Sequence, residues 1–265
     1  MISQFARTEL LIGDQALALL KQSRVAVFGV GGVGGYVVEA LARSGVGQID
    51  LIDNDEVCLT NINRQIIATH ETIGRKKVDV MEERVLSINP DCLVHKHPCF
   101  YLPSVPNDID FSSFSYVVDA IDTVSAKLDI VQKCKELNIP VMSCMGCGNR
   151  IEPTLLKVGD IFETSYDPLS KVMRRELRKR GIQSLKVLYS TEGVLRPLVG
   201  EADFLNEEKK TRTKEVPGST AFVPPVAGLI IASEVIKDLI HFDRNSRPPL
   251  TNALEKYKEM KEEKK

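Results

Sequence analysis

The chain is predicted to fold as a doubly wound α/β domain around a mostly parallel sheet. Three observations carry that expectation. Short β-branched runs alternate with helical patterns through residues 1–150, the pattern of βαβ units. One run, Val25-Ala26-Val27-Phe28, meets the cluster Gly29-Val30-Gly31-Gly32-Val33-Gly34-Gly35, and a helical stretch follows. A second run ends on Asp53, about 20 residues further on, where a ribose-binding carboxylate is expected.

Strand, glycine turn and helix together read as a Rossmann-like nucleotide cradle. Glycines let the backbone approach a phosphate, and the free N–H groups and helix dipole favour negative charge. Gly29, Gly31, Gly32 and Gly34 are therefore the candidate phosphate-loop residues. The turn alone does not separate NAD from ATP.

A chain of 265 residues is long enough to bury a sizeable core. Lys and Arg number 35 and Asp and Glu 36, so any nucleic-acid surface has to be a local patch. The first residues carry no apolar secretion-signal core. The stretch 221–240 is interrupted by Pro224, Pro225, Glu234, Lys237 and Asp238. It reads as a core helix, so no membrane span is expected. The expected location is cytoplasmic, with all six cysteines reduced. Cys144-Met145-Gly146-Cys147 has the spacing of half a zinc site, but no second pair follows, so no structural zinc is expected.

In chain order, Asp14 is placed to cap a helix over 15–22. After the glycine turn come a helix over 36–43 and a strand over 49–52. The segment 53–65 is polar and reads as a loop beyond a strand end, where open α/β sheets bind ligands. Asn61, Arg64 and Gln65 lie in it. A helix then opens at Lys77, a cation against the dipole, for which a bound anion is the natural reason. Strands over 92–97, 116–122 and 139–143 and a helix over 124–137 continue the alternation. Residues 101–113 read as a loop. Asp122 closes its strand and suits either a hard cation such as Mg²⁺ or a helix N-cap.

Residues 151–265 are expected to extend the domain formed by 1–150. They carry a strand over 152–158, a basic helix over 169–180 opened by Asp167-Pro168, a strand over 185–189 and a closing helix over 225–240. A charged segment at 200–216 is expected to be mobile, and 254–265 to be a charged tail.

Arg64 and Lys77 near the phosphates suit a triphosphate whose leaving pyrophosphate needs stabilising. A nicotinamide dinucleotide has no such leaving group. The ordered set Gly29-x-Gly31-Gly32-x-Gly34, Asp53, Asn61-x-x-Arg64-Gln65, Lys77 and Asp119-Ala120-Ile121-Asp122 resembles the ThiF/MoeB family of adenylating enzymes, relatives of the ubiquitin-activating enzymes. That resemblance implies an ATP site formed by these residues, with Mg²⁺ at Asp122. It also implies a homodimer, because Arg7 matches an arginine that reaches into the partner subunit's site. Arg7, Arg64, Lys77 and Asp122 are the implied catalytic set.

The chain lacks the zinc cysteine pairs of the members that activate sulfur carriers. Phe5-x-Arg7-Thr8-Glu9-Leu10-Leu11-x-Gly13, Asp167-Pro168-Leu169 and Tyr189-Ser190-Thr191-Glu192 resemble instead the branch that cyclises threonylcarbamoyladenosine beside the tRNA anticodon. The implied reaction is adenylation of the threonyl carboxylate followed by intramolecular ring closure. The implied partner is tRNA, contacted by the basic run Arg174, Arg175, Arg178, Lys179 and Arg180, with a sulfur-transfer protein as a further candidate. The alternative is adenylation of the C-terminal glycine of a ubiquitin-like or sulfur-carrier protein, with Cys144 or Cys147 as the thiol.

Overall fold

The computed structural model describes residues 3–198 and 217–246. The segment 200–216 and the tail 254–265 lie outside the described residues. One seven-stranded sheet organises the molecule. Its strands are β1 (Arg24–Phe28), β2 (Gln48–Ile52), β3 (Leu93–His97), β4 (Tyr116–Asp119), β5 (Val141–Cys144), β6 (Leu156–Asp160) and β7 (Lys186–Ser190). They lie in the order β3-β2-β1-β4-β5-β7-β6. All pairs are parallel except β6 with β7, an antiparallel edge. The sheet thus runs across residue 150, and the last two strands extend the first five.

The helices are α1 (Ala6–Ile12), α2 (Asp14–Gln22), α3 (Gly34–Arg43), α4 (Lys77–Ile88), α5 (Val124–Glu136), α6 (Pro168–Lys179) and α7 (Val223–Leu239). They cover both faces. Val25 and Val27 of β1 join a core with Leu20, Val37, Leu41, Met81 and Ile231, from α2, α3, α4 and α7. Ala26 and Phe28 of the same strand join a second core with Ile130, Met173, Leu177 and the ring cluster Tyr101, Phe111 and Phe114. β1 is buried on both faces because both layers close on it, which is why it reads as an unbroken apolar run.

Three elements differ from expectation. The sequence reading has no counterpart for α1; Leu10 and Leu11 are exposed on it, and only its last residue, Ile12, packs against the core, so its apolar pattern is weak. β4 stops at Asp119, and Ala120–Asp122 leave the sheet as a loop. The strand expected over 152–158 begins as a 3-10 turn at Pro153–Leu155 and becomes extended only at Leu156. Pro153 has no N–H for a ladder, and the Glu152 side chain accepts from the Thr154 amide, which favours the turn.

Candidate adenylation site

The order reverses at β1, with β2 on one side and β4 on the other, and here the crevice beyond the strand ends opens. The Gly29 amide donates to Ile52 O at 2.8 Å and the Ala120 amide to Phe28 O at 2.8 Å. The three strand ends are thereby held in register. Gly29 has φ +90°, and a Cβ there would stand 2.8 Å from Ala120 O, so only glycine suits the turn. A Cβ on Gly34 would stand 1.7 Å from Gly29 O. Gly34 is therefore the close-packing glycine between strand and helix, and it is not among the residues lining the crevice.

That crevice has a volume of about 270 Å³. Gly29, Gly31, Gly32, Asp53, Asn61, Arg64, Gln65, Lys77 and Asp122 all line it. Residues from four separate parts of the chain thus converge on one place. The Asp53 carboxylate accepts from the Val30 amide at 2.7 Å and from the Asp55 amide at 2.8 Å. Burial pushes its pKa above the ordinary carboxylate value, against the pull of Lys77 and these two amides.

The polar loop is built, not merely solvated. Asn61 is buried, and its Oδ1 accepts from the Cys58 amide at 3.2 Å. A 3-10 turn, Leu59–Asn61, precedes Arg64. The Arg64 guanidinium donates to Thr60 O and to Asn63 Oδ1, each at 2.8 Å. Burial lowers its pKa from the ordinary arginine value. Lys77, the first residue of α4, is buried, and its Nζ meets Asp55 Oδ2 at 2.9 Å. Asp55 is exposed, so this cation can exchange a surface partner for a phosphate.

Space and donors suit a nucleoside triphosphate. A Cβ on Gly31 would find only Gln65 Nε2, at 3.8 Å, so the loop leaves an open cradle. Gln65 Oε1 is buried without a partner, a polar atom with bonding capacity left beside the crevice. Two cations, a glycine loop and an acceptor-only carboxylate match phosphates at one end and a ribose at the other. No cluster of three His, Cys, Asp or Glu side chains that would hold a metal occurs among the described residues. Mg²⁺ is ordinarily held by one or two carboxylates together with substrate phosphates. Asp122, exposed on the crevice rim, fits that pattern.

Other expected residues lie elsewhere. Arg7 is exposed on α1 and does not line the crevice of its own chain. The basic run of α6 is largely engaged with the chain itself. Arg174 donates to Thr164, Arg178 stands 5.1 Å over the Phe162 ring, and Arg175, Lys179 and Arg180 surround Glu176.

Sequence reasoning missed Phe100 and Tyr101, which line the crevice from the loop after β3. Tyr101 OH donates to Asp129 Oδ2 at 2.6 Å, and its ring meets Phe28 edge-on at 4.9 Å. An aromatic pair in a Pro- and Asp-rich loop was the available signal. Lys127 was missed as well. It is fully buried, with Nζ 2.9 Å from Asp119 Oδ2, 3.2 Å from Ser143 Oγ and 2.8 Å from Cys144 O. It ties the ends of β4 and β5 together beneath the loop that carries Asp122.

The ThiF family model matches residues 5–265. The chain is 44% identical over 243 residues to the tRNA threonylcarbamoyladenosine dehydratase of Bacillus subtilis, covering 91% of this chain and 96% of that protein. The crystal structure of the Escherichia coli enzyme of that name in complex with ATP superposes with a TM-score of 0.76 at 33% identity, covering 91% of this chain and 97% of that one. The adenylyltransferase and sulfurtransferase UBA4 of Saccharomyces cerevisiae is 32% identical over 142 residues, only 54% of this chain and 32% of that protein. Helices on both faces of one sheet, a nucleotide crevice at its reversal point and a family match along almost the whole chain agree, and the chain belongs to the ThiF family.

Proposed function

We propose that this chain is an ATP-dependent tRNA threonylcarbamoyladenosine dehydratase. It adenylates the threonyl carboxylate of the modified nucleoside and closes that carboxyl onto a nucleophile within the same substrate. The observation that carries the reading is likeness to enzymes of that name over 91% of the chain, as opposed to likeness over the adenylating part alone.

The chemistry follows from the site. A carboxylate is a poor electrophile because oxide or hydroxide would have to leave. Its oxygen attacks the α-phosphorus of ATP, the bond to the β-phosphate oxygen breaks, and pyrophosphate departs. The resulting mixed anhydride carries AMP as a good leaving group. An internal nucleophile displaces AMP with high effective molarity, so no enzyme thiol is required. The sum is loss of one water from the substrate as ATP becomes AMP and pyrophosphate.

Arg64 and Lys77, which line the crevice, contact the phosphates in this reading and offset the charge that develops on the leaving group. Gly31 and Gly32 let the backbone approach the phosphates, and Asp53 accepts from the ribose hydroxyls. Asp122 would hold Mg²⁺, which when bound supplies further charge neutralisation between phosphate oxygens. Arg7 acts from the second subunit of a homodimer. The reading is tested by incubating the protein with ATP, Mg²⁺ and tRNA carrying threonylcarbamoyladenosine, then analysing the nucleosides. An ATP-dependent loss of one water is expected; an unchanged nucleoside would overturn it.

A further inference from the structure

Cys144 and Cys147 have no part in the chemistry above, yet the fold brings them together. Cys144 is the last residue of β5 and 4% exposed; Cys147 is partly exposed three residues on. Their sulfurs are 3.6 Å apart and unbonded. A disulfide requires about 2.05 Å between sulfurs, so closure asks for about 1.5 Å of movement. The intervening Gly146 and the following Gly148 carry no side chain to hinder it.

We propose that Cys144 and Cys147 are a reversible disulfide site that exchanges with a low-molecular-weight disulfide, and that the bond is read at the nucleotide crevice. Cys147, the more accessible sulfur, attacks as thiolate one sulfur of the small disulfide. A mixed disulfide forms and one small thiolate leaves. Cys144 gives up its proton and attacks the Cys147 sulfur, and the second small thiolate leaves. Two protein thiols are oxidised and the small disulfide is reduced to two thiols. The neighbouring Cys147 sulfur and burial raise the Cys144 pKa, so the first attack falls to Cys147, and the second relies on the closeness of the two sulfurs.

A continuous run of contacts links the pair to the crevice. Gly148 packs on Pro217, where an added Cβ would meet the proline Cβ at 2.7 Å. The Asn149 amide donates to Gly218 O at 2.8 Å, and the Gly218 amide donates to Asn149 Oδ1 at 2.6 Å. The next carbonyl, Ser219 O, accepts from Asn63 Nδ2 at 3.0 Å, and Asn63 Oδ1 accepts from Arg64. A shift of the 144–149 turn therefore reaches the guanidinium on the phosphate side of the crevice.

The full-length protein is to be equilibrated with oxidised and reduced glutathione at graded ratios, quenched by alkylation and mapped by mass spectrometry. The peptide holding both cysteines is expected to lose two hydrogens in a single transition. ATP affinity, measured by calorimetry across the same series, is expected to change on the order of fivefold. Cys147→Ser should show neither change. The proposal is overturned if both thiols stay alkylatable, if the reaction stops at a mixed disulfide on Cys147, or if the bond forms with ATP affinity unaltered. It is also overturned if Cys147→Ser shifts equally, which would place the effect at Cys58 or Cys99. The bond-forming half is independent of the proposed reaction; the crevice half rests on the ATP site alone and fails separately from nucleoside cyclisation.

Discussion

Arg64 illustrates how one side chain gains its role from neighbours. Alone it would be a mobile surface cation. Thr60 O and Asn63 Oδ1 fix the guanidinium before any ligand arrives, so little of its side-chain entropy remains to be lost at the transition state. Replacement of Arg64 by alanine is expected to slow ATP–pyrophosphate exchange by about 10²–10³-fold, the usual effect of removing one such donor. The melting temperature should stay close to wild type, because the two bonds lost are exposed. A matching fall in stability and activity would instead mark Arg64 as a structural residue. Lys127 is the counter-case. Its place in the sequence looks like an ordinary helix cation, and only the packed molecule shows that it lies inside with Asp119.

Among the elements, β1, β2, β4 and β5 were legible because apolar runs bounded by turns survive any tertiary context. The carboxylate at the end of β2 was legible for the same reason. What was not legible depended on partners far along the chain. The end of β4 is held by Lys127 and Ser143 on Asp119, and the loop after β3 is held at the site by Phe28 packing on the Tyr101 ring and by Asp129 accepting from its hydroxyl. The pairing of β1, β2 and β3 also carries a pH dependence. Asp50 in β2 is fully buried between Arg24 of β1 and His97 of β3, at 2.7 and 2.8 Å. Burial would raise its pKa, but the bonds from Arg24 and His97 prevail and hold it below the ordinary value. A depressed folded value means the stabilisation is complete above about pH 4, the unfolded-chain value, and is lost as pH falls through the folded one. The urea midpoint is expected to drop between pH 5 and pH 3. Asp50→Asn should be less stable at pH 7 by about 1–3 kcal/mol and should show a shallower acid slope; identical slopes would remove Asp50 from the account.

For the whole molecule, the position of Arg7 sets a test of assembly. It stands on α1 beside exposed Leu10 and Leu11 and away from its own crevice. If each site takes Arg64 from one subunit and Arg7 from the other, an Arg7→Ala subunit paired with an Arg64→Ala subunit contains one intact site. Co-refolding the two inactive variants in equal amounts is expected to restore about a quarter of wild-type activity, since half the dimers are mixed and each has one working site. No recovery would place both arginines in the same subunit's site, and an Arg7→Ala variant active by itself would put Arg7 outside the chemistry.

The crevice is lined by residues as far apart as Gly29 and Thr123, drawn from four strand ends, the polar loop after β2 and the start of α4. An unfolded chain cannot assemble that surface, so the nucleotide discriminates completely between the two states. Its binding energy is therefore transmitted to the entire sheet as thermal resistance. At a hundred times its dissociation constant ATP should add about 2.7 kcal/mol to the unfolding free energy, visible as a raised melting temperature that Arg64→Ala diminishes. The metabolite that drives the chemistry would then also govern how long each molecule survives, and a cell depleted of ATP would hold a more fragile population of this enzyme.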